Sequence, residues 1–266
     1  MEDNKLKIEV PVMAQLFAKG EHPEYLFWVG CAGAFDKRYQ KVARSFAKIL
    51  THLNVSFAVL GVEESCTGDP AKRAGNEMLY QMQAMTNIQI LNGYEVKKII
   101  TICPHCFNIF KNEYPELGGN YEVVHHTQFL KKMMEEGKLY INSDEFKGKK
   151  IVFHDPCYLG RGNDIYEDPR IVLNAVPSEK VEMGRSRENA LCCGAGGAQM
   201  FKEAEKGDKE IFLERMDDVI KTNCDIVATA CPWCMTMLTD GIKYKNKEET
   251  MTNYDVAEIV CMALGL

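Results

Sequence analysis

The sequence lacks long apolar runs and clusters of positive charge. None of its apolar stretches approaches the roughly 18 to 20 residues that a membrane span requires, and the opening MEDNKLKIEV holds no apolar segment of secretory-signal length. The net charge is −6, and the basic residues are too scattered to follow a phosphate backbone. We therefore expect a cytoplasmic protein that binds no nucleic acid and that reaches the inner face of a membrane only peripherally, through a partner.

Cysteine, in contrast, is abundant, with 11 cysteines among 266 residues. Stable disulfides are rare in the cytoplasm, so metal ligation or redox chemistry is the leading interpretation of this number. The alternative is that the cysteines are small buried hydrophobic residues. The spacing of the cysteines distinguishes the two interpretations.

Nine of the cysteines form two arrays with matching spacing. The first array consists of Cys31, Cys66, Cys103 and Cys106, and the second consists of Cys157, Cys192, Cys193, Cys231 and Cys234. When Cys66 is paired with Cys193, equivalent members lie 126 to 128 residues apart. The flanking sequences also match, since LFWVGC corresponds to IVFHDPC and CPHC corresponds to CPWC. This pattern indicates a duplicated unit.

The repeat predicts how the chain is divided. We expect an N-terminal extension over residues 1–24, a first cysteine-rich unit over 25–135, a polar linker over 136–149 and a second unit over 150–266. Short continuous apolar runs precede most of the array cysteines, as in parallel strands that are buried on both faces. Helical patterns lie between them, at 36–53, 73–94 and 203–223.

Strands that alternate with helices predict an α/β fold with two tandem, pseudo-symmetric Rossmann-like units, each built on a parallel sheet. Ligands of such sheets bind beyond the carboxyl ends of the strands, and the array cysteines fall there. The proline in CPHC and CPWC suits the first turn of a helix. Cys103 and Cys231 should therefore lie at helix N-termini, where the helix dipole favours a thiolate.

The number of ligands bears on the identity of the metal. A zinc ion takes four tetrahedral ligands, so the first array could hold zinc. The second array has five cysteines, two of them adjacent, and a polynuclear iron cluster can bind adjacent thiolates on different irons. The glycines at 194, 196 and 197 would let backbone N–H groups approach cluster sulfurs.

The doubled pattern C…CCG…CxxC, with HDPC, CCGAGG and CPWC in the second half, resembles the cysteine-rich CCG domain of heterodisulfide reductase catalytic subunits. The same domain occurs in iron–sulfur subunits of glycolate oxidase, lactate-utilisation and flavoprotein-linked oxidoreductases. The resemblance implies a noncubane [4Fe–4S] cluster on the five cysteines of the second array. It also implies a second cluster on the four cysteines of the first array.

The first array departs from the family pattern. The chain has Ser65-Cys66-Thr67-Gly68 where the family has CCG, so Ser65 is interpreted as the residue that replaces a cysteine, with the glycine displaced. A four-cysteine cubane, a modified cluster, a Ser65 oxygen ligand and zinc all remain open for this array.

The second array, with the full ligand set, is predicted to be the reactive one. Cys193 and His154 are the candidate catalytic residues, since His154 stands near Cys157 and could donate a proton or a hydrogen bond to a substrate. A structural histidine at a strand end is the alternative. His125 and His126 follow a strand-like run, where one could face the first metal, although packing or helix capping is expected of at least one of them.

Two classes of function follow. The first is an iron–sulfur oxidoreductase subunit that carries electrons, with partners or substrates among thiol disulfides, 2-hydroxy acid oxidases, electron-transfer flavoproteins and quinones. The second is a zinc-binding scaffold, and a thiol–disulfide protein that uses its CxxC pairs is a further alternative.

The family also implies partners. In longer relatives a ferredoxin-like segment precedes the region that corresponds to residues 11–31. We therefore expect a complex with a ferredoxin-domain iron–sulfur subunit, linked to a flavoprotein or to a membrane quinone-reactive subunit.

Overall fold

Two four-stranded parallel sheets organise the chain. The computed structural model describes residues 9–203 and 206–266. The strands of the first unit are β1 (Tyr25–Trp28), β2 (Phe57–Ala58), β3 (Lys98–Thr101) and β4 (Glu122–His125), in the order β2-β1-β3-β4. The strands of the second unit are β5 (Lys150–Phe153), β6 (Glu179–Val181), β7 (Ile226–Thr229) and β8 (Thr252–Asp255), in the order β6-β5-β7-β8. The predicted pair of Rossmann-like units is confirmed.

Helices connect the strands in both units. Those of the first unit are α1 (Met13–Phe17), α2 (Gly30–Phe35), α3 (Tyr39–His52), α4 (Asp69–Arg73), α5 (Glu77–Gly93), α6 (Pro104–Asn108) and α7 (His126–Glu135). Those of the second unit are α8 (Glu167–Asn174), α9 (Ile211–Lys221), α10 (Pro232–Tyr244) and α11 (Val256–Ala263). The helix expected over 203–223 begins only at Ile211, and the described residues from 203 to 210 form no helix. Gly207, a poor helix former, lies in that stretch.

The two sheets face each other across a shared layer of helices. Helix α3 packs on α11, and α7 packs on α8. One hydrophobic core accordingly contains side chains from both units, such as Phe46, Phe129, Val172 and Val260, each with at most 2 % of its surface exposed. Burial on both faces explains why the central strands are continuous apolar runs rather than alternating ones.

Polar contacts join the same two layers. Arg38 donates two hydrogen bonds to the Glu258 carboxylate, at 2.6 and 2.7 Å. Nε2 of the fully buried His126 lies 3.0 Å from Oδ1 of Asp255. The units are therefore packed together through their interior and not joined only by the linker.

The segments outside the sheets add to this packing. In the predicted extension, Val12 forms a parallel bridge with Val59 at the edge of the first sheet, while residues 1–8 lie outside the described part. In the predicted linker, Leu139 and Phe146 are buried in the shared core. Among the described residues, no helix has both the length and the apolar character needed to cross a membrane.

Candidate metal centres

The CxxC pairs begin equivalent helices. Cys103 is the N-cap of α6 and Cys231 is the N-cap of α10, each followed by proline in the first turn. The predicted position at helix N-termini is therefore confirmed. Both pairs are buried, and all eleven cysteines of the chain carry free thiols. The pairs are held with their sulfurs inside the protein at the carboxyl ends of β3 and β7.

The five thiols of the second array form a continuous chain of contacts. Cys157 and Cys193 both donate to the sulfur of Cys192, and Cys234 donates to Cys193 at an Sγ–Sγ distance of 3.4 Å. Cys231 accepts from Cys234. The structure thus brings together all five cysteines that the sequence assigned to this array.

The protonation of these thiols depends on their neighbours. Hydrogen bonds from Cys157 and Cys193 lower the pKa of Cys192, whereas donation to Cys192 raises the pKa values of Cys157 and Cys193. Five thiolates so close together would concentrate negative charge in a buried site. Bound cations would offset that charge, so the donor set suits a metal cluster.

His154 approaches the same sulfurs. One of its ring nitrogens lies within 4.8 Å of the thiols of Cys193 and Cys234. Its Nδ1 accepts a hydrogen bond of 3.0 Å from Nε of Arg215, a fully buried residue on α9. Because an arginine nitrogen only donates, Nε2 carries the proton of the neutral ring. Nε2 is buried and has no hydrogen-bond partner among the described residues.

Burial lowers the pKa of His154 to about 3. The ring is therefore neutral at ordinary pH, and a proton donor of the imidazolium type is not available there. The geometry supports the hydrogen-bonding role that the sequence suggested for His154 more than the proton-donating one. Its catalytic assignment, like that of Cys193, stays a prediction. Arg215 carried no motif in the sequence that could have revealed it.

The first array repeats this arrangement with four thiols. Cys31 donates to Cys66, and Cys106 donates to Cys103. The hydrogen bond from Cys31 lowers the pKa of Cys66 to about 7. A small cavity is lined by all four cysteines. The structure thus brings the four cysteines of this array to one space, and their role as metal ligands stays a prediction.

The interpretation of Ser65 as the missing cysteine is wrong. The exposed Ser65 directs its hydroxyl to Oδ1 of Asn87 on α5, at 2.8 Å. Cys66 instead matches Cys192, because each sulfur accepts the N–H of the glycine two residues later, at 3.4 Å in the first unit and 3.3 Å in the second. Those two glycines share a φ of +91°, a conformation that favours glycine.

Thr67 is consequently the residue that stands where the second unit has Cys193. Its hydroxyl lies 3.9 Å from Sγ of Cys106, just as Cys193 contacts Cys234. Both side chains are buried, with 2 % of Thr67 and 4 % of Cys193 exposed. The glycine of the motif is not displaced. The equal separation of 126 residues for Cys31/Cys157 and Gly68/Gly194 was the sequence signal for this alignment.

Glu64 and the candidate histidines His125 and His126 have structural positions. The Glu64 carboxylate accepts the N–H groups of Val29 and Gly30 at the start of α2, and burial raises its pKa to about 7. His125 is the N-cap of α7, with its Nδ1 accepting from the N–H of Thr127. His126 lies beside Asp255 in the seam between the units.

The two arrays are neighbours. His105, inside the CPHC motif, contacts the thiol of Cys231 in the other unit. Burial opposes its protonation, but hydrogen bonds to Asp69 and Cys231 raise the pKa of His105 to about 10. From the opposite side, Trp233 of CPWC lines the cavity of the first array. Each unit thus places the residue before the second cysteine of its CxxC pair against the array of the other unit.

Comparison with known proteins agrees with this duplication. The model of the family described as "Cysteine-rich domain" (CCG) matches residues 25–111 and again 151–239. The chain is 45 % identical to the "Probable iron-sulfur-binding oxidoreductase FadF" of Bacillus subtilis, over 96 % of this chain and 36 % of that protein. It is 43 % identical to the "EtfAB:quinone oxidoreductase" of Syntrophomonas wolfei, over 92 % of this chain and 35 % of that protein.

A third relative is named as one polypeptide of a reductase. The chain is 35 % identical to a subunit of the dihydromethanophenazine:CoB–CoM heterodisulfide reductase of Methanosarcina barkeri, over 91 % of this chain and 59 % of that protein. The chain therefore spans about a third of the length of the first two relatives and somewhat more than half of the third. With two matched copies that together cover more than half of its length, the chain belongs to the CCG cysteine-rich domain family.

Proposed function

We propose that this chain is the part of an iron–sulfur oxidoreductase that carries electrons through two adjacent metal centres. The observation that carries the proposal is the contact chain of five buried or half-buried thiols, which lies next to a second set of four thiols. A bound iron–sulfur cluster would accept and release single electrons there. The names of the relatives support the same class of activity.

In the second unit, Cys157, Cys192, Cys193, Cys231 and Cys234 would hold a noncubane [4Fe–4S] cluster. Five thiols exceed what one zinc ion can bind. The N–H of Gly194 already points at Cys192 Sγ, and N–H donors of this kind stabilise the charge on cluster sulfurs. Nε2–H of His154 would serve the same purpose beside Cys193 and Cys234, with its direction fixed by Arg215.

In the first unit, Cys31, Cys66, Cys103 and Cys106 would hold a second cluster. Thr67 leaves this array with a hydroxyl in the fifth position, so a site of four thiolates is proposed. Four thiols also fit tetrahedral zinc. Zinc in this array alone would leave the second array as the electron carrier.

Disulfide reduction at the second centre is the finer proposal. Converting a disulfide to two thiols takes two electrons and two protons, and the electrons would come from a partner through the two centres. Solvent water would supply the protons, since burial lowers the pKa of His154 to about 3. A mechanism in which the CPHC pair itself is the active dithiol is less well supported. Burial raises the pKa of Cys103, and donation of a hydrogen bond to Cys103 raises the pKa of Cys106, whereas the reactive form of a cysteine is the thiolate.

Partners must supply and remove the electrons. We propose a ferredoxin-domain iron–sulfur subunit or segment as one neighbour, with a flavoprotein or a quinone-reactive membrane subunit beyond it. The relative named as a quinone oxidoreductase supports this order. The proposed location is the cytoplasm, with peripheral attachment to the membrane through that partner.

Metal analysis of protein purified without oxygen tests the proposal. We expect iron and acid-labile sulfide in amounts that correspond to two clusters, a brown colour and electron paramagnetic resonance signals that change on reduction. Zinc in both arrays, or colourless protein that takes up no iron and sulfide on reconstitution, would contradict it. Iron and sulfide in the second array with zinc in the first would leave electron transfer in place and settle the metal of the first array.

A further inference from the structure

Helix α5 presents a row of exposed methionines, which we call the methionine face. It consists of Met78, Met82 and Met85, which recur at helical spacing and are 75 %, 57 % and 53 % exposed. The row lies opposite the buried side of α5, which contains Tyr80. No residue from 78 to 93 carries a charge. Grouped apolar side chains mark interaction surfaces, and methionine is common there because its side chain adapts to a partner.

The equivalent helix of the second unit has a charged surface instead. Helix α9 lies between the loop at 192–194 and β7, as α5 lies between the loop at 66–68 and β3. Glu214 and Asp217 on α9 both form ion pairs with Lys209. The shared fold therefore does not require exposed methionines, and this difference indicates a role that belongs to the first unit alone.

The methionine face and the first array lie on opposite sides of the same helix. From the buried side of α5, Asn87 donates to the carbonyl oxygen of Cys66 at 3.0 Å. Tyr80 packs so closely against Gly68 of the same loop that a Cβ added there would lie 2.9 Å from its ring. A helix with its side chains is about 10 to 12 Å wide. A molecule on the methionine face would thus be about one helix diameter from the half-exposed Cys66.

We propose that the methionine face is the docking surface for the iron–sulfur subunit that exchanges electrons with the first array. The inference deepens the proposed function and rests on it. Opposite charges accelerate transient encounters, whereas permanent interfaces are more apolar. Because residues 78–93 carry no charge, the occupant is a stably bound subunit with an apolar, uncharged patch, and not a ferredoxin that diffuses to an oppositely charged site.

Two other occupants fit these observations less well. A helix that binds a lipid surface carries lysine or arginine beside its apolar face, and residues 78–93 contain neither. A second copy of this chain, docked about a two-fold axis, would cover the methionine faces of both copies. A subunit that carries electrons would then lose the short route through α5 to the first array.

Affinity purification of the tagged, intact chain, produced at its native level in its own host and without oxygen, tests the inference. We expect a subunit with iron and acid-labile sulfide of its own to co-purify with the wild type, even in about 1 M salt, which screens charge contacts. Met82→Lys places a charge in the middle of the methionine face and should lose this subunit. Tyr140→Lys, at an apolar residue outside α5 that is 81 % exposed, is the matched control and should retain it.

The outcomes separate the inference from the function on which it rests. A wild-type chain without iron–sulfur signals of its own would overturn both. A chain with its clusters that retains the subunit in Met82→Lys, loses it equally in Tyr140→Lys, or binds no iron–sulfur subunit as wild type would overturn the inference alone. The last case includes a homodimer, or binding to phosphatidylglycerol vesicles, that Met82→Lys abolishes. If Met82→Lys loses the signals of the chain's own clusters, Met85→Lys decides by the same criteria.

Discussion

The loop at residues 66–68 and the loop at 192–194 have the same backbone plan but different ligand content. In each loop, a cysteine sulfur accepts from the N–H of a glycine with a φ of +91°, and the same cysteine accepts from the first cysteine of its unit. The residue between them is Thr67 in one loop and Cys193 in the other. The comparison shows that the same loop conformation can present either one cysteine or two.

The largest effect should come from removing the ligand that only the second loop has. We expect Cys193→Ala to remove the noncubane cluster from the second unit, because the variant leaves this unit with four thiols, as in the first array. The change would appear as reduced visible absorbance and as a second-unit resonance signal that resembles that of the first unit. Because metal binding couples to folding, its thermal stability should also fall. An unchanged second-unit resonance signal in Cys193→Ala would contradict the ligand assignment.

The reverse change sharpens the comparison. In a Cys193→Ala background, Thr67→Cys should give the first array five thiols and a resonance signal resembling that of the wild-type second unit. Ser65→Cys is the matched control, because Ser65 directly precedes Cys66 and Thr67 directly follows it. This variant should leave the first-unit signal unchanged, since the Ser65 hydroxyl contacts Asn87. A new signal from Ser65→Cys and none from Thr67→Cys would restore the alignment in which Ser65 replaces a cysteine.

The hydrogen bond that orients His154 beside the second array can be tested by comparing Arg215 with Arg185, since both arginines contact Asp218. Arg215→Met removes the donor that fixes the ring of His154, so the Nε2–H beside Cys193 and Cys234 would lose its direction and the second array should hold its metal less tightly. Chelator competition should therefore strip the second array sooner than in wild type. Arg185→Met, whose side chain does not contact His154, should not have this effect. Equal effects of the two variants would contradict the role of Arg215.

The last expected effects leave the metal centres unchanged and concern two equivalent helix caps. Asp255 caps α11 and His125 caps α7, both with capping boxes. Burial raises the pKa of Asp255 from 3.8 to about 7, so the folded state holds a proton that the unfolded chain releases, and the free energy of unfolding falls as pH rises through that interval. Burial lowers the pKa of His125 below 6.5, so stability falls instead as pH drops below 6.5.

Substitution by asparagine, a good helix cap, should remove each contribution separately. In wild type, Asp255 lowers the free energy of unfolding by up to about 1.4 kcal/mol per pH unit as the pH rises from 4 to 7, and Asp255→Asn should remove this slope. His125 lowers the free energy of unfolding with a slope of similar size as the pH falls below 6.5, and His125→Asn should remove that slope. Denaturant unfolding at a series of pH values measures both slopes. Changes of the same sign in the two variants would contradict the buried, neutral state of one cap.

Much of the architecture could be predicted from the sequence because it depends on local patterns. Continuous apolar runs predicted the central strands, and the Cys-Pro pairs predicted the starts of α6 and α10. The error at Ser65 has a physical cause. Matching cysteine with cysteine places Cys66 on Cys193, whereas the loop conformation is set by glycine, and so Gly68 lies on Gly194.

These long-range partners could not be predicted in this way. Arg215 reaches His154, and His105 reaches Cys231, through contacts between residues 61 and 126 positions apart in the chain. No periodicity or motif in the sequence links such residues, because their proximity depends on how helices and units pack.

The shared layer of α3, α7, α8 and α11 has a consequence for the history of the duplication. Either unit alone would expose to water the apolar faces that the other now covers, so an ancestral single copy would have been stable chiefly as a dimer of identical subunits. Fusion of the two copies into one chain fixed the effective concentration of each copy around the other. It also allowed each copy to change independently. Thr67 at the position equivalent to Cys193, and His105 at the position equivalent to Trp233, are differences that a dimer of identical chains could not have acquired.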